Sequence, residues 1–216
     1  SDNVSIEDEL ALKTQADQAG LMVMGPDCGT AIIDGSPLGF ANVVRRGDIG
    51  IVAASGTGLQ QVSCLIDAAG CGVSQAIGTG GRDLDSRIGG ITTKRAITSL
   101  GADPDTKIIV LISKPPAPDV AKAVLEHAVA TGKPVVACLL GHTPSEPSLS
   151  GVSFASTLEE AAYLAIAASG ATGNKPGGLI EAALPGLNAD RRYLRALYSG
   201  GTFCYEALTM LGGTLD

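Results

Sequence analysis

The feature that most constrains the fold is a rhythm of short apolar runs. Residues 49–54, 108–112 and 135–140 are β-branched or leucine-rich, 21–24 is a shorter run of the same kind, and 73–77 is a more mixed one. Each is bounded by Gly, Pro or charged residues, as buried strands are. Between them, 58–69, 91–100, 119–130 and 157–168 carry helical periodicity. Alternating strands and helices imply a parallel sheet with right-handed crossovers and helices on both faces. The expected fold is therefore α/β, a flavodoxin-like doubly wound parallel sheet. Composition agrees: 45% of the 216 residues are hydrophobic, only 3% are aromatic and 29 are Gly. That mixture suits aliphatic strands under helices with tight turns and argues against an all-β fold.

The flanks read differently. Residues 4–20 form a helix with acidic residues in its first turn, and no strand precedes it. Residues 1–20 are thus expected to be the tail of a preceding domain, with the main domain at 21–169. From 170 to 190 Gly, Pro, Ser and Asn dominate and periodicity is lost, as in a linker. Residues 191–216 would open a second domain, with a strand over 193–198, a turn at Ser199-Gly200-Gly201-Thr202 and a helix over 203–211. The net charge of −7 supplies no long-range positive field for nucleic acid or anionic lipid, so an anion must be held locally. Cys28, Cys64, Cys71, Cys138 and Cys204 show no CxxC pairing, so reduced thiols in a cytoplasmic protein fit better than disulfides or zinc, and no metal site is expected. No apolar run reaches the length of a membrane span.

In an open parallel sheet, ligands bind beyond the carboxyl ends of the strands. The run ending at Ala54 continues into Ser55-Gly56-Thr57-Gly58 and then a helix, so free amides, hydroxyls and the helix dipole would converge on an anion. The same turn also suits a tight βα connection with a side-chain cap. After Ile77 comes Gly78-Thr79-Gly80-Gly81-Arg82-Asp83, where Gly80 and Gly81 allow close backbone approach and Arg82 offers a fork for phosphate or carboxylate. The bland reading of Arg82 is an ion pair with Asp83. Lys114 follows the run at 108–112 and is either a rim cation or a solvated loop lysine. His142 could titrate near neutral pH, but with no carboxylate partner in evidence it reads as a loop residue. His127 lies within the 119–130 helix as a surface or packing residue. The cysteines read as core filler, and only Cys28 sits in an unusual loop, Gly25-Pro26-Asp27-Cys28-Gly29-Thr30.

The strings MGPDCGTAIIDGSPLGFANVVRRGDIGIVAASGTGLQQ, AIGTGGRDLDSRIGGITT, LISKPPAP and GKPVVACLLG closely resemble the FdrA family of acyl-CoA synthetase-like proteins, in the succinyl-CoA synthetase superfamily. The likeness runs through residues 1 to about 168, and YSGGTFCYEA resembles the start of that family's next domain. It implies an α-type ligase domain whose CoA-binding Rossmann domain lies outside this chain. By the same resemblance, Ser55-Gly56-Thr57-Gly58 and Ser199-Gly200-Gly201-Thr202 stand at two helix N-termini that together cradle a phosphoryl group. Gly80 and Gly81 join them in phosphate binding, with Arg82 and Lys114 as the catalytic candidates. The superfamily's Gly-His-Ala-Gly loop has no counterpart in HTPSEPSLSGVSF, so no phosphohistidine relay is expected. The implied ligand is phosphate or an acyl phosphate, with CoA and a nucleotide as further candidates in the complete protein. Acyl or carbamoyl transfer to or from a small anionic substrate follows, as in oxamate carbamoyltransfer during allantoin and oxalurate breakdown. An acyl-CoA ligase and a non-catalytic regulatory subunit are the competing expectations. The partners implied are the remaining domains or subunits of the same system in a homo- or hetero-oligomer.

Overall fold

A computed structural model describes residues 3–142, 149–171, 193 and 195–212. Among the described residues seven strands form one sheet. They are β1 (Thr30–Ile33), β2 (Ser36–Gly39), β3 (Arg46–Ala53), β4 (Val73–Gly78), β5 (Ile108–Ser113), β6 (Val135–Leu139) and β7 (Val152–Phe154), in the order β2-β1-β4-β3-β5-β6-β7. From β4 to β7 all neighbours are parallel. Those five strands have the doubly wound flavodoxin-like order, and the sheet changes direction of growth between β3 and β5, which opens a crevice at their carboxyl ends.

Because β residues alternate faces, Ile49, Ile51 and Ala53 pack on one side with Val110, Ile112, Val136 and Cys138. There α2 (Gly56–Ala68) and α5 (Leu158–Ala168) cover them with Leu59, Val62, Ile66, Leu158 and Ala162. On the other face Val52, Ala54, Leu111 and Leu139 meet Ile97, Leu100, Val120 and Val124 of α3 (Ile91–Ala102) and α4 (Pro118–Val129).

Two strand expectations require correction, and two flanking helices make contacts that the sequence did not suggest. Residues 21–24 are not a strand. The edge position beside β4 is taken by β1, which pairs antiparallel with it, Ala31 opposite Ile77, and turns back into β2. Helix α1 (Ile6–Gln18), expected to close another domain, packs on this one through buried Glu9 and Lys13. Its leucines, by contrast, are exposed, Leu10 and Leu12 at 38% and 46%. Helix α6 (Gly201–Leu211), expected to open a second domain, lies against the first: Phe203 packs on the α2 and α5 side of the core. Described residues 193 and 195–198 form no strand, and residues 172–192, most of the expected linker, lie outside the described residues.

Candidate functional site

The turn after β3 puts two helix ends in one place. Ser55 is the extended N-cap of α2, and its Oγ accepts the Gly58 amide at 2.9 Å. The Leu59 amide bonds the Ser55 carbonyl. The Gly58 amide is therefore not free for a ligand, and among the described residues the amides of Gly56 and Thr57 find no partner. Helix α6 begins at Gly201 with no side-chain cap. Its Thr202 Oγ1 lies 2.5 Å from Ser55 Oγ, both residues nearly fully buried. Gly200 permits the meeting: its φ is +110°, and a Cβ there would stand 2.5 Å from Thr57 Oγ1. Two N-termini, 147 residues apart in the chain, thus bring their positive ends to one crevice.

A cavity of about 550 Å³ opens at this meeting. Its walls are residues 27–30, Phe40, residues 54–57, Gln60, Gly81, Lys114 and Gly200 to Thr202. Of the sequence candidates, Ser55, Gly56, Thr57, Gly81, Lys114, Gly200, Gly201 and Thr202 come together here. Gly58, Gly80 and Ser199 do not line it. Gly80 is nevertheless required nearby, since its φ is +97° and a Cβ would meet the Pro26 carbonyl oxygen at 2.5 Å. That approach locks the loop carrying Asp27 and Cys28 over the glycine turn.

Arg82 is the clearest correction. Its guanidinium turns away from the cavity and binds Glu9 Oε2 and the Val4 carbonyl, each at 2.8 Å. Glu9 in turn contacts Lys13 Nζ at 2.9 Å, and Lys13 reaches Asp83 Oδ1 at 2.6 Å and the Thr79 carbonyl at 2.9 Å. Asp83 accepts the amides of Thr92 and Thr93 and so caps α3 from outside, because the α3 N-cap, Gly90, has no side chain to do it. Asp83 does not pair with Arg82 as the bland reading had it. The four charges form a chain that anchors α1 and fixes the 79–83 loop from behind.

Sequence reasoning missed Asp27 and Phe40 as lining residues, although the loop around Cys28 had been singled out. It also missed Glu206 on α6. The Glu206 carboxylate accepts the Leu158 amide at 2.7 Å and thereby caps α5. Burial pushes its pKa above the ordinary value; the Leu158 hydrogen bond pulls it down and nearby Glu159 adds to the rise. Burial, with Glu206 and Glu160 adding to it, pushes the Cys138 thiol beneath up to about 12, which makes it inert core filler. His127 holds Thr98 Oγ1 at 2.8 Å on the far side of the sheet, and His142 is not among the lining residues.

Chemically, the cavity offers unpaired amides, hydroxyls and one ammonium. The Lys114 side chain makes no hydrogen bond or ion pair among the described residues. Such a set stabilises a multiply charged oxyanion and a developing negative charge beside it. Among the described residues no helix is long and apolar enough to cross a membrane.

The sequence signature described as CoA binding domain matches residues 44–141. The chain is 53% identical over 218 residues to the uncharacterized protein YahF of Escherichia coli K12, spanning 96% of this chain and 42% of that protein. It is 30% identical over 150 residues to the mitochondrial ADP-forming succinate–CoA ligase subunit alpha-2 of Trichomonas vaginalis, spanning 66% of this chain and 47% of that one. Among solved structures, the apo dinucleotide-forming acetyl-coenzyme A synthetase 1 of Ca. Korarchaeum cryptofilum superposes with a TM-score of 0.57 at 21% identity, over 76% of this chain and 39% of that one. PH0766 from Pyrococcus horikoshii OT3 gives 0.55 at 23%, over 75% and 37%. The chain spans less than half the length of each of these relatives. Together the sequence matches support an acyl-CoA ligase-like domain of the succinyl-CoA synthetase superfamily, and the structural likeness supports the fold.

Proposed function

We propose that the chain is the α-type part of a cytoplasmic FdrA-like enzyme that binds phosphate or an acyl phosphate between the N-termini of α2 and α6 and transfers an acyl or carbamoyl group. The observation that carries this reading is the 2.5 Å contact between Ser55 Oγ and Thr202 Oγ1, which sets two helix N-termini on one cavity beside the Lys114 ammonium. In the direction of phosphorolysis, a phosphate oxygen held by these donors attacks the carbamoyl carbon of a substrate such as oxalurate. Lys114 donates to the carbonyl oxygen as it gains charge, the carbon–nitrogen bond breaks, and the leaving nitrogen takes a proton to give oxamate and carbamoyl phosphate. The role of Lys114 here is charge stabilisation, and Arg82 has none.

A second reading, nucleotide-driven thioester synthesis, is favoured by the names of the relatives and by the CoA binding domain match over residues 44–141. On that match CoA would be held by this domain, whereas the resemblance assigned it to a separate Rossmann domain.

The test is a full-length assay with two arms. Formation of carbamoyl phosphate from oxalurate and inorganic phosphate supports the transferase. Formation of a CoA thioester from a carboxylic acid, CoA and ATP supports the ligase instead. If the protein binds no phosphate-like ligand, the fold serves a non-catalytic regulatory subunit and the proposal fails.

A further inference from the structure

Two opposite charges face the cavity without meeting. A Cβ placed on Gly81 would stand 3.3 Å from Lys114 Nζ and 3.4 Å from Asp27 Oδ2. Both residues line the cavity, yet neither side chain makes a hydrogen bond or ion pair among the described residues. They are held on separate supports. Asp27, at φ +56°, belongs to the loop locked down by the approach of Gly80 to Pro26, while Lys114 leaves β5 and runs into Pro115 and Pro116. A carboxylate at the mouth of a cavity that gathers anions repels the ligand the helix ends attract. Its presence is useful only if the ligand also offers a hydrogen-bond donor.

We infer that Asp27 is a specificity-determining residue that selects an uncharged carboxamide next to the phosphoryl group, with Asp27 accepting an amide N–H and Lys114 donating to the amide carbonyl oxygen. This rests on the phosphate-binding reading of the cavity. The carboxamide follows from the pair itself: a carbonyl oxygen and an N–H on one carbon are spaced to bridge a donor and an acceptor that flank a single glycine. A cationic amine is disfavoured, because it would meet the Lys114 ammonium as well as Asp27. A methyl ketone of the same shape would cover the Asp27 carboxylate and leave it unpaired, and discrimination of this kind is steep.

Calorimetric titration of the full chain with four probes tests it: inorganic phosphate, phosphonoacetamide, acetonylphosphonate and 2-aminoethylphosphonate. The second and third differ only by NH2 in place of CH3. The expected order is phosphonoacetamide tightest, at least about tenfold over acetonylphosphonate, with the amine no better than the ketone. Asp27→Gly tolerates the positive φ. It should erase the amide preference and bind inorganic phosphate more tightly than before, since a negative charge has gone. Equal affinities for amide and ketone, an amine that binds best, or a preference that survives Asp27→Gly would each overturn the assignment while leaving the phosphate cavity standing. Failure of all four probes to bind would remove the cavity reading and this inference together.

Discussion

Lys13 carries its ammonium fully inside the protein, between two carboxylates that are equally buried. Removing it leaves Asp83 with no cation and Glu9 with only the half-exposed Arg82, so Lys13→Met should destabilise the protein by about 3–5 kcal/mol, the usual result of breaking a buried ion pair from one side. Arg82 sits at the outer end of the same chain with 38% of its side chain exposed. Arg82→Ala should cost only about 1 kcal/mol, because solvent screens that end, and should leave phosphate affinity unchanged. Denaturant melts read both stabilities and calorimetry reads the affinity; a large affinity loss in Arg82→Ala would restore it to the site. The contrast explains what the sequence could convey about these residues. A glycine turn after a buried strand announces itself locally, so Ser55, Gly56 and Thr57 were legible. Arg82 has two candidate destinations, and which one it takes is decided by Glu9, 73 positions away, whose burial no local pattern reveals. Nor does the helical pattern of residues 4–20 reveal that Lys13 and Glu9, four positions apart, are both fully buried.

At the scale of elements, the strands that are buried on both faces were readable because their apolar runs are continuous: β3, β5 and β6 fall within a few residues of their expected places. The β1–β2 hairpin was not, since Ser36–Gly39 is exposed throughout and has no apolar alternation to betray it. Helix α6 was expected, but its attachment was not, for it rests on scattered contacts, Thr202 on Ser55, Phe203 on the core and Glu206 on the Leu158 amide, that no periodicity reveals. Of these, Glu206 should respond to pH. Its folded pKa is raised, so the folded state binds the proton more tightly than the unfolded one. The contribution to stability is then fully present below the ordinary glutamate range and lost as pH rises through the raised value. Glu206→Gln keeps an acceptor for the Leu158 amide without the charge. Hydrogen exchange of the α6 amides should therefore quicken from acid to neutral pH relative to the rest of the protein in the parent chain. The Gln variant should show a flat relative profile, and a parallel profile in both would show that Glu206 does not set the docking.

At the scale of the whole molecule, the sheet and the site have different extents in the sequence. Among the described residues every strand precedes residue 155, and both clusters of buried core residues are complete by Ile166. The cavity, by contrast, takes Gly200, Gly201 and Thr202 from beyond residue 171, together with the second helix end. A chain ending at residue 171 should then keep its fold and lose its ligand. It forfeits the Glu206 cap on α5 and the cover of Phe203, a loss of about 1–2 kcal/mol that should lower Tm by roughly 2–8 °C in a domain of this size. Phosphate affinity should fall at least about tenfold, because one of two helix N-termini and the Thr202 hydroxyl are gone. Circular dichroism and calorimetry on the same sample separate the two effects. A shortened chain that binds phosphate as tightly as the parent would show that α2 and Lys114 suffice, and that the meeting of Ser55 with Thr202 is packing alone. A shortened chain that fails to fold would show that α6 belongs to the folding unit, and the Ser55→Ala and Thr202→Val pair would then carry the test. Their affinity losses should be non-additive if the two hydroxyls act on one bound anion.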